Sequence, residues 1–183
     1  MTHLQKKFKF DLCICGHTFK DTIYILEEFP KESSDTRMSS VLHRFGGIFN
    51  TIRGIRHLNK KINMKAVTIL GKDQDGETAI QELKKINVNH KSIAQNNLTN
   101  NVLVFISKLK STKTVIVRFL SKKPKKKMNI ADSSWVHFMY LDNKAFIQQF
   151  GNLVLDKKPD QFFSADISDK SINKYKLNKY LNK

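Results

Sequence analysis

An α/β fold built on a mostly parallel sheet is what this sequence predicts, and three observations predict it. Short β-prone apolar runs alternate with helically spaced ones through the first half of the chain, in the order strand, helix, strand, helix. Two β-rich runs then follow each other with no helix between them, as the arms of a hairpin do. The composition, 183 residues with 40% hydrophobic and 27% charged, is that of one globular domain long enough to bury a core.

The elements follow in order. Phe8 to Gly16 turns apolar as a buried strand would, and Gly16 to Asp21 reads as a turn leading into a second β-prone run, Thr22 to Leu26. After the exposed stretch Glu27 to Asp35, Met38 to Phe45 reads as a strand ended by Gly46-Gly47. Ile48, Phe49, Ile52, Ile55 and Leu58 recur at helical spacing, which predicts a helix over Ile48 to Leu58. Ala66 to Leu70 is a short strand closed by Gly71, and Ile80, Leu83 and Ile86 mark an amphipathic helix over Glu77 to Ile86. Val102 to Ile106 and Thr114 to Leu120 form the hairpin. The basic run Lys122 to Lys127 reads as a loop, Trp135 to Leu141 as a strand, Lys144 to Leu155 as a helix and Gln161 to Asp166 as a last strand. Ile167 to Lys183 is polar and lysine-rich, and no internal repeat is present.

The net charge of +17 suggests a polyanionic partner at first sight. Its make-up argues otherwise. Of the 33 basic residues, 28 are lysine and five are arginine, alongside 15 asparagines. A joint excess of lysine and asparagine is what an AT-rich coding sequence produces, whereas arginine is the usual reader of base edges. A nucleic-acid role is therefore the lesser expectation. No apolar run reaches the roughly 20 residues that cross a bilayer, and the stretch Leu12 to Cys15 is too short for a signal-peptide core; a cytoplasmic location is expected. Cys13 and Cys15 point to one face of an extended segment, where free cysteines usually pack as core.

Three motifs stand in sequence: Gly16 with Asp21 five residues on, then Gly46-Gly47-Ile48-Phe49-Asn50, then Gly71-Lys72-Asp73-Gln74-Asp75-Gly76. In this order and spacing the chain resembles the N-terminal part of the ribokinase-like (PfkB-type) carbohydrate kinases, over nearly its whole length. The resemblance implies a ribokinase-like, mostly parallel sheet flanked by helices and carrying a small β lid. One domain over 1–183 results, with a core at 8–168, lid strands at about 22–45 and 102–120, and a tail at 169–183.

The resemblance also implies a sugar or nucleoside site. Asp21 would accept hydrogen bonds from two hydroxyls, and Asn50 would both donate and accept. Gly46 and Gly47 would let the backbone approach the ligand, since no Cβ intervenes. Val102 and Val104 would face the sugar from the lid. Taken without the family, Asp21 reads equally as a solvated turn residue, Asn50 as a helix-start residue and Gly46-Gly47 as a strand-ending turn. Asp73 reads as the cap of the following helix and Gly71 and Gly76 as structural. Departures from the family pattern are Ile48 and Ile52, where small residues are usual and which would push the helix start outward, and Phe19 in place of a polar residue. Ser121-Lys122-Lys123 brings lysines to where the mouth would lie and points to a phosphorylated sugar.

ATP and Mg²⁺ are the family's cofactors, but the expectation here is that their site is not present. Phosphoryl transfer needs a base and a backbone anion hole, which in the family lie in the C-terminal half as a Gly-Ala-Gly-Asp motif. The last glycine of this sequence is Gly151. The expectation is thus a chain lacking the C-terminal half of the fold, with no catalytic residue of its own. It would be half of a kinase completed by a separate C-terminal half, or a non-catalytic sugar-binding regulator, or a basic nucleic-acid binder. The resemblance also allows a homodimer through the lid. The last strand, Gln161 to Asp166, would be an unprotected sheet edge.

Overall fold

The computed structural model describes residues 8–92, 98–118, 130, 132–139, 147, 151, 152, 154, 158 and 160–166. Its elements run β1 (Phe10–Leu26), β2 (Met38–Gly47), α1 (Ile48–Leu58), β3 (Met64–Ile69), α2 (Gln74–Lys85), β4 (Asn89–Ser92), β5 (Asn100–Ser107), β6 (Thr112–Arg118), β7 (Ser133–Phe138) and β8 (Phe162–Ala165). The fold is ribokinase-like in layout: a parallel sheet between helices, with a smaller lid sheet growing from it.

One strand belongs to both sheets. From Phe10 to His17, β1 lies between β3 and β7 in an all-parallel array ordered β4-β3-β1-β7-β8. From Thr18 to Leu26 the same strand lies between antiparallel β2 and parallel β5, and β6 closes the lid as the antiparallel arm of a hairpin. The sequence reading broke this strand into two at Gly16 to Asp21. Gly16 and Asp21 are turn signals, but both halves of the strand find ladder partners on both sides, and those hydrogen bonds override the local signal.

The centre of the parallel sheet, β3 and the first half of β1, is buried on both faces, which explains its apolar runs. Leu12 and Ile14 point to the side where α1 contributes Ile48, Phe49 and Ile52 and α2 contributes Ala79 and Leu83. Cys13 and Cys15 point to the other side, packed with Val67, Ile69, Val136, Phe138 and Ile147. Their sulfurs stand 3.6 Å apart, both thiols are free, and burial holds the Cys15 thiol well above its usual range. Of the helix expected at Lys144 to Leu155, Ile147, Gly151, Asn152 and Val154 are described and are helical; the rest lies outside the described residues, as do Lys122 to Lys127 and the tail.

Helix α1 has the predicted bounds. Ile48 and Ile52 are fully buried, and Ile48 Cγ2 would lie 3.0 Å from a Cβ placed on Gly16, so the missing side chain at Gly16 accommodates the bulky helix start. Helix α2 begins earlier than its apolar spacing suggests, at Gln74, because Asp73 caps it by accepting from the Gly76 amide at 2.9 Å. It ends in a Schellman motif: Asn87 sits at φ 54, its amide donates to Lys84 O, and the Val88 amide donates to Leu83 O. Strand β4 was not legible, since Asn89-His90-Lys91-Ser92 lacks apolar alternation and, among the described residues, pairs only with β3. At the other end β8 pairs only with β7 among the described residues, and Trp135 and Phe162, in register across that pair, are exposed.

Candidate functional site

Where β1 passes from one sheet to the other, the diglycine that ends β2 and starts α1 is pressed against it. Thr18 pairs with Gly47 and Phe19 with Gly46. Gly47 has φ 64, a left-handed conformation that favours glycine, and a Cβ there would stand 2.1 Å from the His17 carbonyl oxygen. A Cβ on Gly46 would stand 2.3 Å from Asp21 Oδ2. Asp21 and Phe19 share one face of β1, so the carboxylate lies over the bare backbone of Gly46. Any side chain at position 46 would displace it.

Asp21 is half-buried, and burial pushes its pKa above the ordinary carboxylate value, against the pull of the Arg44 and Arg53 guanidiniums. Arg44 faces it across the β1–β2 pair. Arg53 comes from α1, donating to the Phe45 carbonyl at 2.8 Å and to Glu82 at 2.7 Å. Gly47 is the N-cap of α1, and no side-chain hydrogen bond caps that end. As in any helix, its first-turn amides have no partner within the helix itself. Asn50, on that first turn, is exposed and lies one turn before Arg53 on the same helix face.

The lid supplies the apolar side. Val102 is the register partner of Asp21 and Val104 of Ile23, so both valines share the face that carries the carboxylate. Both are half-buried. Phe19 is buried with its ring centroid 5.8 Å from that of His17. His17 is itself buried, and desolvation lowers its pKa to about 4, so it is neutral at physiological pH.

Asp73, by contrast, serves the scaffold. Its carboxylate accepts from the Gly76 amide, from the Thr99 amide at 2.7 Å and from the Thr99 hydroxyl at 2.6 Å. Burial opposes its ionisation, but these donors outweigh it and hold the pKa below the usual value. The turn after β3 is thereby tied to the residue that precedes β5. Lys20, on the opposite lid face from Asp21, adds an ion pair with Asp75 at 3.0 Å.

The geometry thus gathers Asp21, Gly46, Gly47, Val102 and Val104 at one junction, with Asn50 on the adjoining helix turn. Sequence reasoning missed Arg44 and Arg53. One signal for them existed: in a chain with only five arginines, three (Arg44, Arg53 and Arg56) fall in the thirteen-residue stretch 44–56 that contains the diglycine. A lysine-biased chain keeps arginine where a planar, multiply donating fork is used. Lys122 and Lys123, expected near the mouth, lie outside the described residues. What the junction can do chemically is bind a neutral polyhydroxylated molecule, with one acceptor, one side chain that both donates and accepts, and an apolar wall.

A family model for the pfkB family carbohydrate kinases matches residues 9–176. No curated protein sequence matches the chain. Among solved structures it is similar to a ribokinase from Giardia lamblia, with TM-score 0.74 and 14% identity over 94% of this chain and 56% of that one. It is also similar to a nucleoside kinase from Methanocaldococcus jannaschii, with TM-score 0.67 and 18% identity over 96% of this chain and 57% of that one. A third is the Arabidopsis thaliana ribokinase complexed with ribose and ATP, with TM-score 0.67 and 16% identity over 87% and 54%. The chain therefore spans just over half the length of these structures.

Proposed function

As the chain belongs to the pfkB family of carbohydrate kinases, we propose that it binds a sugar or nucleoside at the junction of β1, the diglycine and the lid. The observation that carries this reading is the seat of Asp21: a half-desolvated carboxylate laid over Gly46, whose ionised form gains most from ligand hydroxyls. Asp21 accepts from two hydroxyls, Asn50 donates and accepts, the Gly46-Gly47 backbone allows close approach, and Val102 and Val104 cover the apolar ring face. Calorimetry with a panel of sugars and nucleosides tests this. Saturable binding abolished by Asp21→Ala is expected, and no binding across the panel overturns the reading.

ATP-dependent phosphorylation of a sugar hydroxyl is the family activity, and we extend it to this chain only together with a C-terminal half. ATP and Mg²⁺ are the family's cofactors, and the described residues are given no part in holding them. Among the described residues no three His, Cys, Asp or Glu side chains converge to hold a metal ion, and no glycine follows Gly151 in the sequence. No phosphoryl-transfer step is assigned to them. Mixing with a candidate C-terminal half should restore turnover if the chain is part of a kinase. A non-catalytic, sugar-binding regulator would bind but never turn over with any partner.

A homodimer through the lid is supported by one further observation. Leu42, Val115, Ile116 and Val117 are large apolar side chains exposed on the lid sheet. Sedimentation should then find a dimer that Val115→Lys/Val117→Lys dissociates. Among the described residues no helix is long and apolar enough to cross a membrane, and we place the reading in the cytoplasm.

A further inference from the structure

At the far end of α1, about 16 Å from the diglycine at 1.5 Å per residue, lies a second concavity that the sugar reading does not use. Its volume is about 480 Å³, within the range of small-ligand sites. It is lined by Arg53, Arg56, His57, Lys60 and Lys85, with Ile86 and Asn87 beside them. Among the described residues no carboxylate lines it.

Two of these cations are already committed. Arg53 pairs with Glu82 at 2.7 Å. Arg56 is fixed by four donations to carbonyl oxygens: Nε to Ile86 at 3.1 Å, Nη1 to Lys60 at 2.7 Å and Ile62 at 2.9 Å, and Nη2 to Asn87 at 3.0 Å. A competing account is that basic residues here merely complement the negative ends of α1 and α2. That account covers Arg56, which does grip those carbonyls. It also covers Lys85 and His57, which stand in the last turns of α2 and α1; it does not cover Lys60, which lies beyond the end of α1, is exposed, pairs with no carboxylate among the described residues and shares the concavity with a guanidinium already held in place. Lys85 and His57 are exposed as well. A guanidinium held in place beside movable ammonium groups suits a compact, multiply charged oxyanion.

We propose that this concavity binds a small phosphate-bearing anion, with Lys60 and Lys85 as the contacting cations and Arg56 as the guanidinium held in place beside them. The site shares Arg53 with the surroundings of Asp21, but the proposal does not rest on the sugar reading. The shared chemistry is the phosphate group, which could belong to an inorganic anion or to a small phosphomonoester.

Calorimetric titration of the full 183-residue chain with pyrophosphate and, separately, glycerol 3-phosphate, in chloride buffer at constant ionic strength, tests it. Saturable binding of at least one probe is expected, at least tenfold weaker in Lys60→Gln/Lys85→Gln and retained in Lys60→Arg/Lys85→Arg. Binding of pyrophosphate alone identifies an inorganic source, and binding of glycerol 3-phosphate identifies a phosphomonoester. Lys31→Gln/Lys113→Gln removes the same charge from exposed positions outside the concavity and should leave affinity unchanged. Failure of both probes to saturate, or an equal loss in the Lys31/Lys113 control, overturns the proposal.

Discussion

The two halves of β1 are one strand under two regimes. Between Phe10 and His17 it is flanked by parallel strands, roofed on both faces, and almost every side chain is buried. Between Thr18 and Leu26 it has ladder partners on both sides too, yet the sheet around it exposes Leu42, Val115, Ile116 and Val117. Backbone pairing is equal in the two halves, and burial is not. Stability should therefore concentrate in the first half, while the second, held by hydrogen bonds over a thin apolar layer, opens more readily. The candidate sugar site sits on the border, where a rigid strand presents Asp21 to a looser cover.

The largest effect that could break this contrast is a core truncation. Phe49→Ala, at a fully buried position, should cost about 3–5 kcal/mol in urea unfolding, while Val104→Ala in the half-buried lid should cost about 1 kcal/mol. Equal costs would erase the distinction. Amide exchange sharpens it further: Ile14 and Cys15 should exchange only on global unfolding, and Ile116 and Val117 much sooner.

Next comes the acid response of the border itself. His17 titrates near 6.5 when unfolded and at about 4 when folded. The unfolded chain thus binds more protons between those values, and stability should fall as pH drops from 6.5 to 4, by on the order of 3 kcal/mol. His17→Gln should flatten that slope; an unchanged slope would assign it elsewhere.

Smaller, and confined to the scaffold, is Asp73→Ala. Loss of the α2 cap and of the Thr99 tie should cost about 1–2 kcal/mol by thermal or urea unfolding. Because the folded pKa of Asp73 is depressed, its contribution is present above pH about 4 and is lost as pH falls below that.

The smallest change has the opposite sign. Asp21 has a raised pKa, so keeping it ionised above that pKa costs stability, and the penalty is relieved as pH falls through it. Asp21→Asn should leave the melting temperature unchanged or slightly higher at pH 7 while sugar binding is lost. A marked destabilisation would recast Asp21 as a structural residue.

What the sequence showed and hid has physical causes. Helix α1 was legible to its ends because Ile48, Phe49, Ile52 and Ile55 repeat at a period that only a helix puts on one face. The cap at Asp73 was legible because capping is local. The continuity of β1 through Gly16 to Asp21 was not, since it depends on partners supplied from β2, β3, β5 and β7. Strand β4 was hidden because an edge strand with a polar sequence carries no periodic signal. Arg44 and Arg53 were hidden for a related reason: their effect on Asp21 arises from strand register and helix docking, which no linear spacing encodes.

The shared strand makes the molecule intolerant of one small lesion. Successive residues of β1 face opposite ways, so a single codon inserted between His17 and Asp21 would leave the parallel sheet intact and rotate everything after it by half a turn. The lid would then be built inside out: the aspartate would project toward the side now held by Lys20, and the valine wall would lose its carboxylate. Length, more than identity, is what those few positions must conserve.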